Sequence, residues 1–158
     1  RKNGTVTAAN SSSISDGASS VLLMKESEAE KRGIKPLAKI INHATNSQQP
    51  KWFTTAPIGA IQKVLNKSNW KKSDVDLFEV NEAFAVVPMA VMKDISIPLE
   101  IINIYGGACA LGHPVGASGS RIVTTLINAL KKNGLKKGVA SLCIGGGEAT
   151  ALALELVN

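Results

Sequence analysis

Apolar residues recur along this chain with two different periods, and the switches between them mark out the elements. "APIGAIQKVLNKSNW" sets Ile58, Ile61, Val64 and Leu65 at helical spacing, which predicts an amphipathic helix. "SRIVTTLINALKKNG" repeats the pattern with a stripe of Ile122, Leu126, Ala129 and Leu130; Lys131 and Lys132 suit its last turn and Gly134 its end. "EAFAVVPMAVMKDI" predicts an apolar helix that accommodates or is kinked by Pro88. A shorter helix is expected in "SEAEKRG", where Ser27 and Glu30 fit a capping box and Gly33 a stop.

Strands are expected in "ASSVLLM", "LAKIINHAT", "VDLFEV" and "GVASLCI". "TALALELV" alternates Leu152, Leu154 and Leu156 with period two after a "GGGE" turn, which is a hairpin signal. Strands separated by helices imply an α/β fold: a mixed, mostly parallel five-stranded sheet covered by helices and closing with an antiparallel hairpin. Such sheets carry functional groups in loops at strand ends. Three unusual loops follow strand-like segments here: "NEAF" after "DLFEV", "GHPVG" after "INIYGGACAL", and "CIGGG" after "VASL".

Composition narrows the class. A chain of 158 residues with 44% hydrophobic content fits one domain, residues 1–158, with its own core. No apolar run approaches the roughly 18 residues a membrane span needs. The polar opening "RKNGTVTAANSSS", without Met, reads as a cut inside a longer protein. Two cysteines make no disulfide framework, so a reducing cytoplasm is expected. The net charge of +6 comes from lysines scattered through helix ends and loops such as "NWKKSD" and "KKNGLKKG". That pattern favours a solvated surface over nucleic-acid binding, and would help attract an anionic small molecule such as a nucleotide or a coenzyme carrying phosphates.

Three polar groups stand out as candidate chemistry. Asn81 is either a helix cap before Glu82 or a functional amide. His113 is either a structural histidine or a reacting group: Pro114 biases it to extended backbone, while Gly112 and Gly116 permit close approach of another backbone. Cys143 ends an apolar strand, where an inert buried thiol is the default; the glycines at 145–147 offer unobstructed N–H groups suited to an oxyanion hole. His43 and Cys109 read as structural or packing residues. No phosphate-loop or dinucleotide fingerprint occurs, "GASGS" fails the nucleophile-elbow pattern, and the histidines and cysteines have no metal-ligand spacing. A phosphate cradle at the Ser118–Ser120 helix start remains open, as does Cys143 acting as a nucleophile with His113 as its base.

"NEAFA", "GGACALGHPVGASGSRI" and "CIGGGEATAL", in this order and spacing, closely resemble the C-terminal half of thiolases of the acetyl-CoA acetyltransferase type. The resemblance runs from "NGTVTAANSSSISDGAS" to the final hairpin. It implies a thiolase-like half that acts on coenzyme A thioesters, with no permanently bound cofactor and no metal. By resemblance, His113 activates a nucleophilic cysteine and donates to an oxyanion hole, and Asn81 holds the water that completes that hole. Cys143 is the acid–base cysteine, and the Gly145 N–H serves a second oxyanion hole. Ala83 and Phe84 would line the acyl-pantetheine pocket, and Phe53 stands where many members have Met. The family's nucleophilic cysteine and its coenzyme A-binding loop domain have no match here. The resemblance therefore implies a fragment, inactive alone, whose partners are acetyl-CoA, acetoacetyl-CoA, CoA and the missing N-terminal half. It further implies a dimer or tetramer at full length, and neither nucleic acid nor membrane as a partner. The alternative is a non-catalytic thiolase-like binding domain.

Overall fold

In the computed structural model, residues 3–157 are described; Arg1, Lys2 and Asn158, the ends of the expected 1–158 domain, lie outside them. Four strands form one mixed sheet: β1 (Ala38–Ser47), β2 (Leu77–Val80), β3 (Lys137–Ile144) and β4 (Glu148–Leu156), in the order β1-β4-β3-β2. The α/β class is as expected, but the sheet has four strands instead of five. Only β2 and β3 run parallel, while β1 and β3 both pair antiparallel with β4. The "ASSVLLM" segment forms no strand; its Val21, Leu22, Leu23 and Met24 are exposed. The "INIYGGACAL" segment adds no strand to the sheet; its backbone meets β2 at an isolated bridge, Phe78 to Ile102.

Among the described residues five α-helices accompany the sheet: α1 (Glu26–Lys31), α2 (Ala56–Ser68), α3 (Val86–Ile95), α4 (Ala108–Leu111) and α5 (Ser118–Lys132). On one face α2 and α3 bury Ile61, Val64, Val87 and Val91 against Phe78, Val80 and Val139. On the other, α5 buries the stripe expected of it, Ile122, Leu126, Ala129 and Leu130, against Leu77, Ala140 and Leu154. The period-3.6 pattern thus translates directly into one buried helix face. Pro88 falls in the first turn of α3, where its missing N–H breaks no intrahelical bond. Ser27 lies inside α1 and makes no side-chain cap there, because Lys25 occupies the cap position.

Side chains, not further strands, cap part of each outer edge of the sheet. Beside β2, Asn103 has φ +48°; its Oδ1 accepts from the Val80 N–H at 2.7 Å and its Nδ2 donates to the Val80 carbonyl at 2.8 Å. Beside β1, Lys67 Nζ donates to the His43 carbonyl (3.2 Å) and Lys63 Nζ to the Thr45 carbonyl (3.3 Å).

Candidate active site

The carboxyl end of β2 leads into an irregular stretch, residues 81–85, before α3 begins at Val86. Ala85 occupies the α3 cap position, so Asn81 is not the cap of that helix. Asn81 is instead locked to the sheet: its N–H donates to the Ser141 carbonyl of β3 at 2.9 Å and its side chain is buried. The amide Nδ2 lies 3.4 Å from His113 Nε2, while Oδ1 is buried without a partner.

His113 is positioned from several directions. Its N–H donates to the Ser13 carbonyl at 2.9 Å, and Arg121 Nη1 donates to the adjoining Gly112 carbonyl at 2.9 Å. Gly112 has φ +83°, and a Cβ there would overlap Ser15, so the tight approach requires glycine. On the far side of the ring, Nδ1 lies 2.6 Å from Ser118 Oγ. Burial, and then the nearby Arg121 charge, lower the His113 pKa below its ordinary 6.5, which keeps the ring neutral and basic near pH 7.

Cys143 is buried near the end of β3, two residues beyond Ser141 and therefore at the same end of the sheet as Asn81. Burial raises its thiol pKa, so the protonated form dominates. The structure brings Asn81 and His113 together and sets Cys143 at their end of the sheet, with no hydrogen bond from its thiol to either among the described residues. Gly145 and Gly146 are exposed, with open space above Gly145. Gly147 closes the turn at φ +100°, where a Cβ would overlap the Gln48 carbonyl oxygen.

Phe53 and Phe84 meet edge to face, centroids 6.1 Å apart, and both pack with Ala83 against the core. The Ala83 carbonyl accepts two hydrogen bonds from Ser12, one from its N–H (3.1 Å) and one from its hydroxyl (2.9 Å). Residues 10–15 thus tie the 83–85 loop to His113. Ser118 and Ser120 do not form a free phosphate cradle. Ser118 is fully buried against His113, and the Ser120 hydroxyl lies within hydrogen-bond reach of the Ser19 and Ala117 carbonyls. His43 is exposed on β1. Cys109 has a thiol 3.8 Å from the Glu82 carbonyl, with its pKa raised by burial and by the Glu82 charge.

Sequence reasoning passed over a set of supporting polar residues. The Glu82 carboxylate accepts from Asn103 Nδ2 and from the Cys109 N–H, both at 3.1 Å, and so fixes the loop leading to His113. Behind Asn81 lies a pocket of about 200 Å³ lined by Glu79, Asn81, Tyr105, Gly107, Arg121 and Thr125 among others. Glu79 is 5% exposed, and burial, reinforced by Glu82 and opposed by Arg121, pushes its pKa up to about 8. The one signal available in the sequence was a charged residue inside the otherwise apolar run "LFEV". Among the described residues no group of three or more His, Cys, Asp or Glu could hold a metal, and no helix is long and apolar enough to cross a membrane.

Comparison with known proteins matches this arrangement to one family. The family model for the thiolase C-terminal domain covers residues 34–156, and that for the thiolase N-terminal domain covers residues 1–27. The acetyl-CoA acetyltransferase of Shinella zoogloeoides is 51% identical over 98% of this chain and 39% of its own length. A probable acetyl-CoA acetyltransferase of Dictyostelium discoideum is 56% identical over 97% of this chain and 37% of its own length. Among solved structures, the Bacillus anthracis acetyl-CoA acetyltransferase superposes with a TM-score of 0.97 at 44% identity, covering 99% of this chain and 40% of that one. The Ascaris suum Acat5 thiolase in complex with coenzyme A superposes with a TM-score of 0.89 at 40% identity, covering 98% of this chain and 40% of that one. The chain therefore spans about two fifths of the length of these relatives. With the C-terminal family model matched across all four strands and the loops that carry Asn81, His113 and Cys143, the chain belongs to the thiolase family.

Proposed function

We propose that this chain is the C-terminal part of an acetyl-CoA acetyltransferase. The whole protein would catalyse Claisen condensation of two acetyl-CoA to acetoacetyl-CoA plus CoA, or the reverse thiolysis. The observation that carries this reading is the contact between Asn81 Nδ2 and His113 Nε2 at the sheet end that also holds Cys143 and the exposed glycines. In this reading His113 Nε2 takes the thiol proton of a nucleophilic cysteine carried elsewhere in the longer protein. Asn81 orients a water toward the first developing oxyanion. Cys143 gives its proton to the departing CoA sulfur and, as the resulting thiolate, removes a proton from the methyl carbon of the second acetyl-CoA; that carbon then attacks the acyl-enzyme carbonyl and displaces the nucleophilic cysteine, and the Gly145 N–H meets the second oxyanion. A neutral His113 and a protonated resting Cys143 agree with a base on one side and a proton reservoir on the other.

Ala83, Phe84 and Phe53 would line the acyl end of the substrate, with the Phe53–Phe84 contact setting its width. The chain alone is inactive in this reading, because the thiol that forms the acyl-enzyme lies outside it. A cytosolic acetyl-CoA acetyltransferase of Mus musculus, 49% identical, supports a cytosolic setting. The full-length protein would be a homo-oligomer.

The test is thiolysis of acetoacetyl-CoA by this chain, alone and mixed with a separately produced N-terminal half of the same protein. Activity in the mixture only, lost in His113→Ala and Cys143→Ala, is the expected result. Activity from the chain alone would reassign the nucleophile to Cys143 or Cys109. Inactivity of the mixture with both halves folded would favour a non-catalytic binding domain.

A further inference from the structure

We propose that Ser118 is a positioning residue that holds His113 in the Nδ1–H tautomer and so leaves Nε2 as a bare lone pair. Pro114 contributes a carbonyl, which only accepts, so the 3.1 Å contact between Ser118 Oγ and the Pro114 oxygen uses the single Ser118 proton. The Pro114 carbonyl accepts this proton alongside the Ala117 and Ser118 N–H groups (2.8 and 2.9 Å), and in that arrangement Ser118 Oγ accepts at its 2.6 Å contact with His113 Nδ1 and the ring donates there. The other end of the ring agrees. Asn81 presents its Nδ2, a donor, to Nε2 at 3.4 Å, which is attractive against a lone pair and repulsive against an N–H. One directed chain results: Asn81 amide to Nε2, Nδ1–H to Ser118, and the Ser118 hydroxyl to Pro114.

Ser118 suits this task because nothing else competes for it. It is fully buried at the first turn of α5, where the back-bond to the carbonyl four residues earlier fixes its rotamer. A ring nitrogen that must accept a thiol proton has to be unprotonated beforehand, and which nitrogen is bare follows from the bond the other makes. The catalytic value of this tautomer rests on the reading of His113 as a base given above; the tautomer itself does not.

The chain has only two histidines, His43 and His113, so each ring can be resolved by nitrogen-15 NMR of histidine-labelled protein. At pH 8, where the lowered pKa leaves His113 neutral, we expect Nε2 at the downfield position of an unprotonated nitrogen and Nδ1 at the upfield position of a protonated one. In Ser118→Ala this pattern should shift to the Nε2–H form or to an exchanging average, with exposed His43 unchanged as internal control. Ser118→Thr, which restores an oxygen, should recover it. If Ser118→Ala does not fold, Ser118→Cys, with a weakly accepting sulfur, takes its place. An Nε2–H ring in the unaltered chain, or an unshifted Nδ1–H ring in the variant, would overturn the proposal. A confirmed tautomer with an inactive reconstituted mixture would instead remove the proposed function and leave the tautomer assignment standing.

Discussion

Replacing Glu79 by glutamine should change how stability depends on pH, because Glu79 carries its proton far above the normal range. Its carboxyl sits on β2, whose four residues are all buried, and its pKa rises from 4.5 to about 8 through burial, then through the Glu82 charge, against a smaller opposing effect of Arg121. Since the folded value lies above the unfolded one, the folded chain binds the extra proton between pH 4.5 and about 8, and stability falls as pH rises through that window. One pKa unit corresponds to about 1.4 kcal/mol, so ionisation of Glu79 in the unfolded chain removes about 3 kcal/mol by pH 7 and approaches about 5 kcal/mol at alkaline pH. Glutamine keeps the shape of the neutral acid and cannot ionise.

The assay is urea unfolding of both proteins at pH 5, 6, 7 and 8. The difference in free energy between E79Q and the unaltered chain should grow in favour of E79Q by roughly 2 to 3 kcal/mol from pH 5 to pH 7. His113 acts in the opposite direction: its folded pKa lies below 6.5, so its neutral burial costs stability below that value and the cost vanishes as pH rises. That contribution is common to both proteins and cancels in the difference. Parallel pH profiles for the two would refute the reasoning, because they would mean that Glu79 ionises normally in the folded state.

Three further outcomes can be checked with the same unfolding measurements and one labelling experiment. Leu126→Ala should lose about 2–5 kcal/mol, since the side chain is fully buried between α5 and the sheet. Asn103→Ala strips partners from the Val80 N–H, the Val80 carbonyl and the Glu82 carboxylate, and should lose about 1–3 kcal/mol. A thiol reagent at neutral pH should modify half-buried Cys109 faster than Cys143, both rates rising with pH because burial holds both thiols protonated; a fast Cys143 reaction near pH 7 would contradict its raised pKa.

Helices and the hairpin were legible in the sequence because each is decided locally. The α5 stripe of Ile122, Leu126, Ala129 and Leu130 needs only helical geometry to define a buried face. Likewise the alternation of Leu152, Leu154 and Leu156 after three glycines specifies a strand returning on its neighbour. Strand direction and strand count are not local. "ASSVLLM" has the composition of a strand, yet a strand forms only where a free edge accepts it, and in this chain Asn103 occupies the edge of β2. That segment falls within the stretch matched by the N-terminal family model, so its apolar residues are not part of this sheet's pattern.

The candidate site was legible through the glycine and proline residues around His113, which constrain the backbone in a recognisable way. Its supporting residues were not. Ser118 and Glu82 are ordinary hydrophilic residues in sequence, and only folding places one against an imidazole and the other between Asn103 and Cys109. Asn81 was ambiguous because the same amide can cap a helix or face a ring. The start of α3 at Val86 resolves which it does.

The partly capped sheet edges bear on how this chain meets its neighbours. An open strand edge is a template for adding strands from other molecules, and that is the route to fibrillar aggregation. Here Asn103 consumes both backbone groups of Val80 on one border, and two ammonium groups from α2 consume outward carbonyls of β1 on the other. Recruitment by backbone pairing is therefore blocked at those positions. What remains adhesive is side-chain surface, concentrated at Val21, Leu22, Leu23 and Met24. Clustering of this chain at high concentration should accordingly be weakened by Leu22→Ser and Leu23→Ser, read as a lower light-scattering signal at equal concentration.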